Sequence, residues 1–384
     1  MNNPVYLEFL RFLRKGDRIM FDVPQKEQQT FLESLSEPQN DIERSFNQYR
    51  CQSFFWSKWK IPVFNIFSLI FFLPVLLILL VRSTFIKKGE EVDALTDLGS
   101  MTEVIPNELR EKYVIDSEKW TVQGGLRLSD MGVVLNLFFT KLPHSYFALK
   151  VLLKVSQYSE IIFRYNPRAI ITHAEFSFAS SILTHYCEKK GVRHINVMHG
   201  EKMYHIYDAF FRFNECYVWN EYYKQLFSQL KADVTQFRIS VPPSMKINVA
   251  EHKRLDAYAD YKYYLAELKE GEFEGVVESM KHLKESGKSV KYRLHPRYLN
   301  ELPILTKYVS KEEIEDPRKV SIIDSVSNCS FAVGSYSTVL AQAYMSGIHV
   351  VLDDMTYEYQ YNKLSEYGYW LIAKNCTRLS TLQQ

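Results

Sequence analysis

The sequence predicts an α/β protein, with two Rossmann-like domains and an N-terminal membrane-associated helical segment. Three observations carry that expectation. Residues 331–352 read as strand, turn, helix and strand; residues 169–219 show the same rhythm; and residues 61–81 run without a charge. At 384 residues the chain exceeds the usual single-domain size, so two globular domains with appendages are expected.

Composition narrows the function classes. Hydrophobic residues make up 46% of the chain, ample for two cores. The 47 basic and 45 acidic residues leave a net charge of only +2, so no field for a polyanion is implied and no nucleic acid is expected as a partner. Cys51, Cys187, Cys216, Cys329 and Cys376 are scattered without CxxC or metal-ligand spacing. That pattern suits a reducing compartment, with neither a disulfide framework nor a metal site. No internal repeat or low-complexity segment stands out.

Residues 1–60 form a helical or interfacial region. Tyr6, Phe9, Leu10 and Leu13 make a helical stripe among Arg11, Arg14, Lys15 and Arg18, which suits a docked surface helix or one lying on a membrane. The charged start is not followed by a cleavable apolar core, so no signal peptide is expected. Residues 25–47 are mostly polar and read as helix or linker without chemistry. Residues 61–84 are read as membrane-embedded, because about 20 uncharged residues match the hydrocarbon thickness. Phe54, Phe55, Trp56 and Trp59 precede them, and Arg82, Lys87 and Lys88 follow. Pro62, Pro74 and the basic residues on both sides leave a single span and a hairpin dipping in from the cytoplasm both open. A buried core helix is the competing reading.

Residues 85–244 form the first Rossmann-like domain. Gln123-Gly124-Gly125 reads as a turn near an acceptor or as a plain loop. Residues 135–155 are aromatic-rich helices interrupted by Lys141, Pro143 and His144. A strand at 169–172, a helix at 178–189 stopped by Gly191, and strands at 194–198 and 216–219 then give parallel-sheet units. Two strands end in His173-Ala174-Glu175 and His199-Gly200-Glu201-Lys202. Carboxyl ends of parallel strands are where ligands sit, although a lone histidine there is more often a hydrogen-bonded structural residue. Val241-Pro242-Pro243-Ser244 interrupts the pattern as an interdomain linker.

Residues 245–384 form the second domain. The aromatic run 261–265 is strand or helix, residues 273–286 are a helix stopped by Gly287, and residues 290–294 are a strand ending in His295-Pro296-Arg297. That rigid X-Pro corner offers two potential phosphate ligands. After the short element 320–323, the strand 331–333 is broken by Gly334, and Ser335, Ser337 and Thr338 stand where a helix begins. Free N–H groups, a glycine allowing close approach and adjacent hydroxyls make a ready phosphate site, or the serines only cap the helix. The strand 350–352 ends in Asp353 and Asp354, either of which could meet ribose hydroxyls, and residues 370–373 read as a last strand.

The pair LHPRY, from Leu294 to Tyr298, and GSYSTVLAQA, from Gly334 to Ala343, resembles the donor half of bacterial two-Rossmann (GT-B) transferases that use CMP- or CDP-activated donors. That group includes capsular and lipooligosaccharide sialyltransferases, Kdo transferases and teichoic-acid glycerophosphotransferases. The resemblance runs from about Ala169 to the C-terminus. NVMHGEKMY, around His199-Gly200, and the later YVWNEYYKQLF match the group's His-Gly pair at the end of a first-domain strand. The Trp that glycerophosphotransferases place before the histidine is missing, which sets the glycerophosphate reading second.

The resemblance implies two domains facing a cleft (GT-B-like) and a glycosyltransferase of capsule or lipopolysaccharide biosynthesis. It would work at the cytoplasmic face of the inner (plasma) membrane, moving a sugar such as sialic acid or Kdo from a CMP-activated donor to a glycan or lipid-linked glycan acceptor. His295, Pro296, Arg297, Gly334, Ser335, Ser337, Thr338 and Asp353 are the expected donor contacts. His199, Glu175 and Glu201 are candidates to take the acceptor's proton, with His199 favoured by the resemblance. No Asp-x-Asp sequence occurs, so metal-independent transfer without a cofactor is expected. A CDP-glycerol or ribitol-type polyol-phosphate transferase and a non-catalytic polysaccharide-assembly scaffold are the alternatives.

Overall fold

The computed structural model describes residues 18–120, 122–254, 258–265, 270–356 and 358–383. The stripe of Tyr6, Phe9, Leu10 and Leu13 lies outside them. The described chain divides into two α/β units, the first taking residues up to Met198 with Tyr204–Ser240, the second His199–Met203 and the residues from Val241 onward.

The first unit is built on a six-stranded, wholly parallel sheet of β1 (Ala94–Thr96), β2 (Ile115–Asp116), β3 (Ala169–Thr172), β4 (Arg193–Val197), β5 (Glu215–Val218) and β6 (Phe237–Ile239), in the order β2-β1-β3-β4-β5-β6. Alternate side chains leave its two faces for two cores. Leu95 and Ile170 join one apolar cluster, while Ala94, Ala169, Ile171, Ile195 and Val197 join another with Leu98, Ile105 and Leu109. Strands buried on both faces read as short apolar runs, and that is why β3, β4 and β5 fall within a residue of their expected places.

Four helices of this unit bear on function: α1 (Asp41–Ser53), α2 (Lys60–Phe85), α3 (Met131–Thr140) and α4 (Ser145–Tyr165). The stretch 25–47, read as helix or linker, is helical at Gln25–Glu33 and from Asp41 onward, and the buried face of α1 is polar. Gln48 Nε2 donates to the Glu175 carbonyl at 2.7 Å, Gln52 Nε2 to the Phe176 carbonyl at 2.7 Å, and Ser45 Oγ accepts from Ile182 N–H. These bonds satisfy the loop after β3, and no apolar periodicity announces them.

Helix α2 is continuous from Lys60 to Phe85, so the prolines do not fold it into a hairpin. Pro62 sits in the first turn, where its missing N–H has no intrahelical partner in any case, and Pro74 lies inside. Phe64, Ser68, Phe72, Leu76, Leu79 and Ser83 are buried at helical spacing, with Phe72, Leu76 and Leu79 in the cluster that holds Leu95 and Ile170. Gln123-Gly124-Gly125 is a loop packed beside this helix, and Leu126 N–H donates to the Leu79 carbonyl at 3.0 Å. Gly124 in this loop has a φ of +91°, the left-handed region that favours glycine.

The second unit also carries a six-stranded parallel sheet: β7 (Ala259–Leu265), β8 (Val290–Leu294), β9 (Ile314–Glu315), β10 (Cys329–Gly334), β11 (His349–Leu352) and β12 (Thr377–Arg378). Its order, β9-β8-β7-β10-β11-β12, is the doubly wound 3-2-1-4-5-6 arrangement in the unit's own strand numbering. One face is apolar, with Tyr261, Tyr263, Leu265, Tyr292 and Leu294 packed on Phe273, Val276 and Met280. The run 261–265 is therefore strand. Residues 273–286 are two helices, Glu270–Ser279 and Lys281–Glu285. Residues 320–323 enter the helix Ile322–Ser327, N-capped by Ser321, whose side chain accepts from Asp324 N–H. Residues 370–373 form a single helical turn, not a strand, and the last strand is Thr377–Arg378.

Candidate functional site

Open parallel sheets bind ligands outside the carboxyl ends of their strands, at the point where strand order reverses. In the second unit that point lies between β7 and β10. A cavity of about 220 Å³ opens there. Tyr264 and Leu265 at the end of β7, Arg293, His295 and Pro296 at the end of β8, and Ser337 and Val339 after β10 line it. A Cβ on Gly334 would stand 3.1 Å from the Tyr264 carbonyl oxygen, so glycine lets β10 end hard against β7.

His295 holds a defined tautomer. Arg297 N–H donates to its Nδ1 at 3.1 Å, which places the proton of the neutral ring on Nε2. Burial, with the Arg297 charge beside it, lowers the imidazole pKa below its ordinary value. At neutral pH the ring is thus a neutral hydrogen-bond donor. Ser337 is the N-cap of α5 (Thr338–Met345), its Oγ accepting from Val339 N–H at 3.2 Å.

The cavity wall also carries buried charge. Arg293 donates to Glu315 Oε1 at 2.7 Å and to the Val320 carbonyl at 2.8 Å, while Lys262 Nζ donates to Glu315 Oε2 at 2.6 Å. All three side chains are within 5% of complete burial. Burial pushes the Glu315 carboxyl up, and Lys262 and Arg293 outweigh it, so the group titrates below its ordinary value. Two cations against one carboxylate leave this cluster with one net positive charge. A buried cation in a low-dielectric wall favours an anionic ligand.

The remaining expected donor contacts are placed differently. Arg297 is exposed on the turn after Pro296 and does not line the cavity. Ser335 is buried directly after β10, and Thr338 is half-buried in the first turn of α5. Asp353 is fully buried: Oδ1 accepts from Met355 and Thr356 N–H, and Oδ2 accepts from Tyr263 Oη–H. Asp354 accepts from Ser380 through both oxygens. These carboxylates tie turns and the C-terminal segment together.

Among the proton-accepting candidates, Glu175 is fully buried, which leaves it no open face toward an acceptor. Glu201 accepts from Trp370 Nε1–H at 2.9 Å, and its carbonyl accepts from Tyr336 Oη–H at 3.2 Å. It anchors the segment His199–Met203 within the second unit. His199 is half-buried, and a Cβ on neighbouring Gly200 would reach Thr338 Oγ1 at 3.9 Å. The second unit therefore brings the His-Gly pair next to the start of α5.

In the first unit the strand order reverses between β1 and β3. There Asp97, following β1, lies with Oδ1 3.2 Å from Nδ1 of His173, which follows β3. His173 was visible in the sequence as a strand-end histidine. Asp97 was not, since the three residues of β1 are too short a run to mark a strand end. A separate group, Asp41, His185 and Glu188, has ligand atoms close enough for a cation. Arg212 already bridges its two carboxylates, donating to Asp41 at 2.7 and 3.0 Å and to Glu188 at 2.9 and 2.7 Å.

No family model matches this sequence, and no curated protein matches it. Solved structures similar in arrangement include a UDP-N-acetylglucosamine 2-epimerase from Rickettsia bellii, at 12% identity and TM-score 0.41 over 69% of this chain and 79% of that one. The wall teichoic acid polymerase TagF, soaked with CDPG, aligns at 11% identity and TM-score 0.42 over 77% and 79%. HepE of Anabaena in complex with UDP-glucose aligns at 10% identity and TM-score 0.38 over 77% and 98%. At such values the likeness decides neither activity nor substrate.

Proposed function

We propose that this chain is a membrane-associated glycosyltransferase of surface polysaccharide assembly, working at the cytoplasmic face of the plasma membrane. It moves a sugar from a CMP-activated donor, of the sialic acid or Kdo kind, to a glycan acceptor. The observation that supports this best is the cavity at the β7/β10 reversal, where the His295 donor, the α5 N-terminus and one net buried positive charge converge. Its volume of about 220 Å³ is below that of a site for a drug-sized molecule, roughly 300–1,000 Å³, so it suits the phosphate-bearing part of the donor.

In the reaction, the bond between the sugar's anomeric carbon and the phosphate oxygen breaks, and CMP leaves with the electron pair. His295 Nε2–H and the N–H groups of α5 stabilise the charge on that phosphate, with Arg293 supplying field from the wall. The acceptor hydroxyl forms the new bond to the anomeric carbon and gives up its proton. His199 takes that proton. The same resemblance that nominates His199 supports this role.

The test is donor consumption by the full chain in detergent, offered CMP-sialate, CMP-Kdo, CDP-glycerol and UDP-glucose with glycan acceptors. A CMP-sugar is expected to be consumed. Consumption of CDP-glycerol alone would move the chain to polyol-phosphate transfer, and consumption of none, with no nucleotide raising the melting temperature, would overturn the proposal.

A further inference from the structure

We infer that α2 lies in the plane of the membrane, pressing its outer face into one leaflet of anionic lipid, and does not cross the bilayer; this rests on the membrane reading above. The inner stripe of α2, from Phe64 to Ser83, covers roughly 28 Å at 1.5 Å per residue, and all of it is packed inside the first unit. Its neighbour α4 carries Lys150, Lys154, Glu160 and Arg164, and its cluster includes residues of β1 and β3. A spanning α2 would draw that parallel sheet into hydrocarbon along with it, and hydrocarbon does not accept an open sheet or charged helices.

The outer face is inverted relative to an ordinary surface helix. Every exposed position between residues 62 and 81 is apolar, among them Ile66, Phe67, Ile70, Leu73, Leu77 and Ile78. The two polar side chains in that stretch turn inward. Ser68 is buried, and Asn65 Oδ1 accepts from Tyr146 N–H at 3.0 Å while the Asn65 carbonyl accepts from Ser145 Oγ–H at 2.5 Å. Helix α3 touches α2 through Phe138 stacked on Phe72 at 4.1 Å and exposes Leu135 and Phe139.

Charge favours lipid as the occupant. Lys58 and Trp59 stand exposed before the helix, and Lys87 and Lys88 stand exposed directly after it, with Glu90 and Glu91 exposed beyond them. Near its C-terminal end Arg127 shares a groove of about 610 Å³ with Leu80, Val81 and the exposed Leu128. Apolar surface bounded by cations and an aromatic belt residue is the pattern of an interfacial helix on an anionic leaflet.

The experiment uses the full chain and vesicles of phosphatidylethanolamine with phosphatidylglycerol. Wild type is expected to float with the vesicles. The triple variant Ile66→Glu, Ile70→Glu, Leu77→Glu is expected to lose at least tenfold in floated fraction with an unchanged melting temperature, since these side chains point away from the core. Should the triple variant not fold, Ile70→Glu alone gives the same direction. In a Cys376→Ser background, Lys58→Cys and Lys87→Cys are expected to react with an impermeant maleimide from the same side of sealed vesicles. Labelling from opposite sides would overturn the in-plane arrangement while leaving the membrane reading intact. Full flotation of the glutamate variant would overturn it too, whether deleting residues 1–17 abolishes binding instead or the variant merely splits a dimer. Wild type that fails to float would sink the membrane reading itself.

Discussion

Asp97 Oδ1 and His173 Nδ1 lie 3.2 Å apart where the strand order of the first sheet reverses, the former after β1 and the latter after β3. Both side chains keep about a quarter of their surface open, at 24% and 23%. If the reversal point receives the acceptor, His173→Gln is expected to raise the acceptor KM roughly tenfold, about 1.4 kcal/mol, with donor affinity and melting temperature unchanged. His199→Ala is expected to act on turnover instead, lowering kcat by about 10² to 10⁴. Steady-state kinetics on both variants separate the roles; a His173→Gln protein that simply melts earlier would make the pair structural.

At the second reversal point His295 and Ser337 line one cavity from different strands. His295→Ala is expected to remove most of the stabilisation by CMP, which is about 2.7 kcal/mol at a hundredfold excess over the dissociation constant. The protein without nucleotide should melt as before. Ser337→Ala is expected to cost about 1 kcal/mol even without ligand, because the N-cap bond to Val339 N–H is lost. Thermal shifts with and without CMP distinguish the two effects. Equal CMP shifts in wild type and His295→Ala would remove His295 from the donor site.

How much of this was legible follows from what each segment buries. Strands that are apolar on both faces or alternate cleanly announce themselves, so β3, β10 and β11 stand where apolar runs end at His173, Gly334 and Asp353, and β8 stands where Val290, Tyr292 and Leu294 alternate before His295. Faces that bury polar groups do not. Helix α1 packs through Ser45, Gln48 and Gln52, and the second sheet hides Lys262 and Arg293 on the side opposite its tyrosines. The buried face of α1 has no apolar period to detect, and in β7 and β8 the alternating apolar residues mark the strand without showing that the opposite face is buried as well. Ser321 with Asp324 three residues on was a readable N-cap signal for the helix Ile322–Ser327. The four apolar residues 370–373 carry no such signal, and a run that short does not separate strand from helix.

The buried trio beside the cavity makes a stability prediction. Glu315→Gln leaves Lys262 and Arg293 without their carboxylate, and breaking a buried pair this way costs about 3–5 kcal/mol. Urea unfolding at pH 7 measures it. A loss under about 1 kcal/mol would mean that water reaches the cations, and the wall would then carry little of the field assigned to it.

His194 sets the pH response of the first unit. It is fully buried, its Nε2 3.0 Å from Tyr158 Oη and its Nδ1 2.8 Å from Thr184 Oγ1. Burial, reinforced by the Arg212 charge, lowers its pKa from 6.5 to about 3. The unfolded chain therefore binds a proton at this residue near pH 6.5, whereas the folded chain refuses it until about pH 3. Between those values the unfolded state holds more protons, so stability falls as pH is lowered. Glu315 also lowers stability in acid, but its contribution is fully present above the ordinary carboxylate pKa and is lost only as pH falls through the lower folded value. From pH 7 to pH 5 the carboxylate does not contribute, but His144 and His295, also lowered by burial, act with the same sign, so it is the difference between wild type and a His194 variant that isolates this residue. His194→Gln is expected to be less stable at pH 7, because its ring bonds are gone, and to show a flatter loss from pH 7 to pH 5 than wild type in urea unfolding. Parallel slopes for the two proteins would mean that His194 is protonated in the fold, and the buried neutral imidazole would have to be given up.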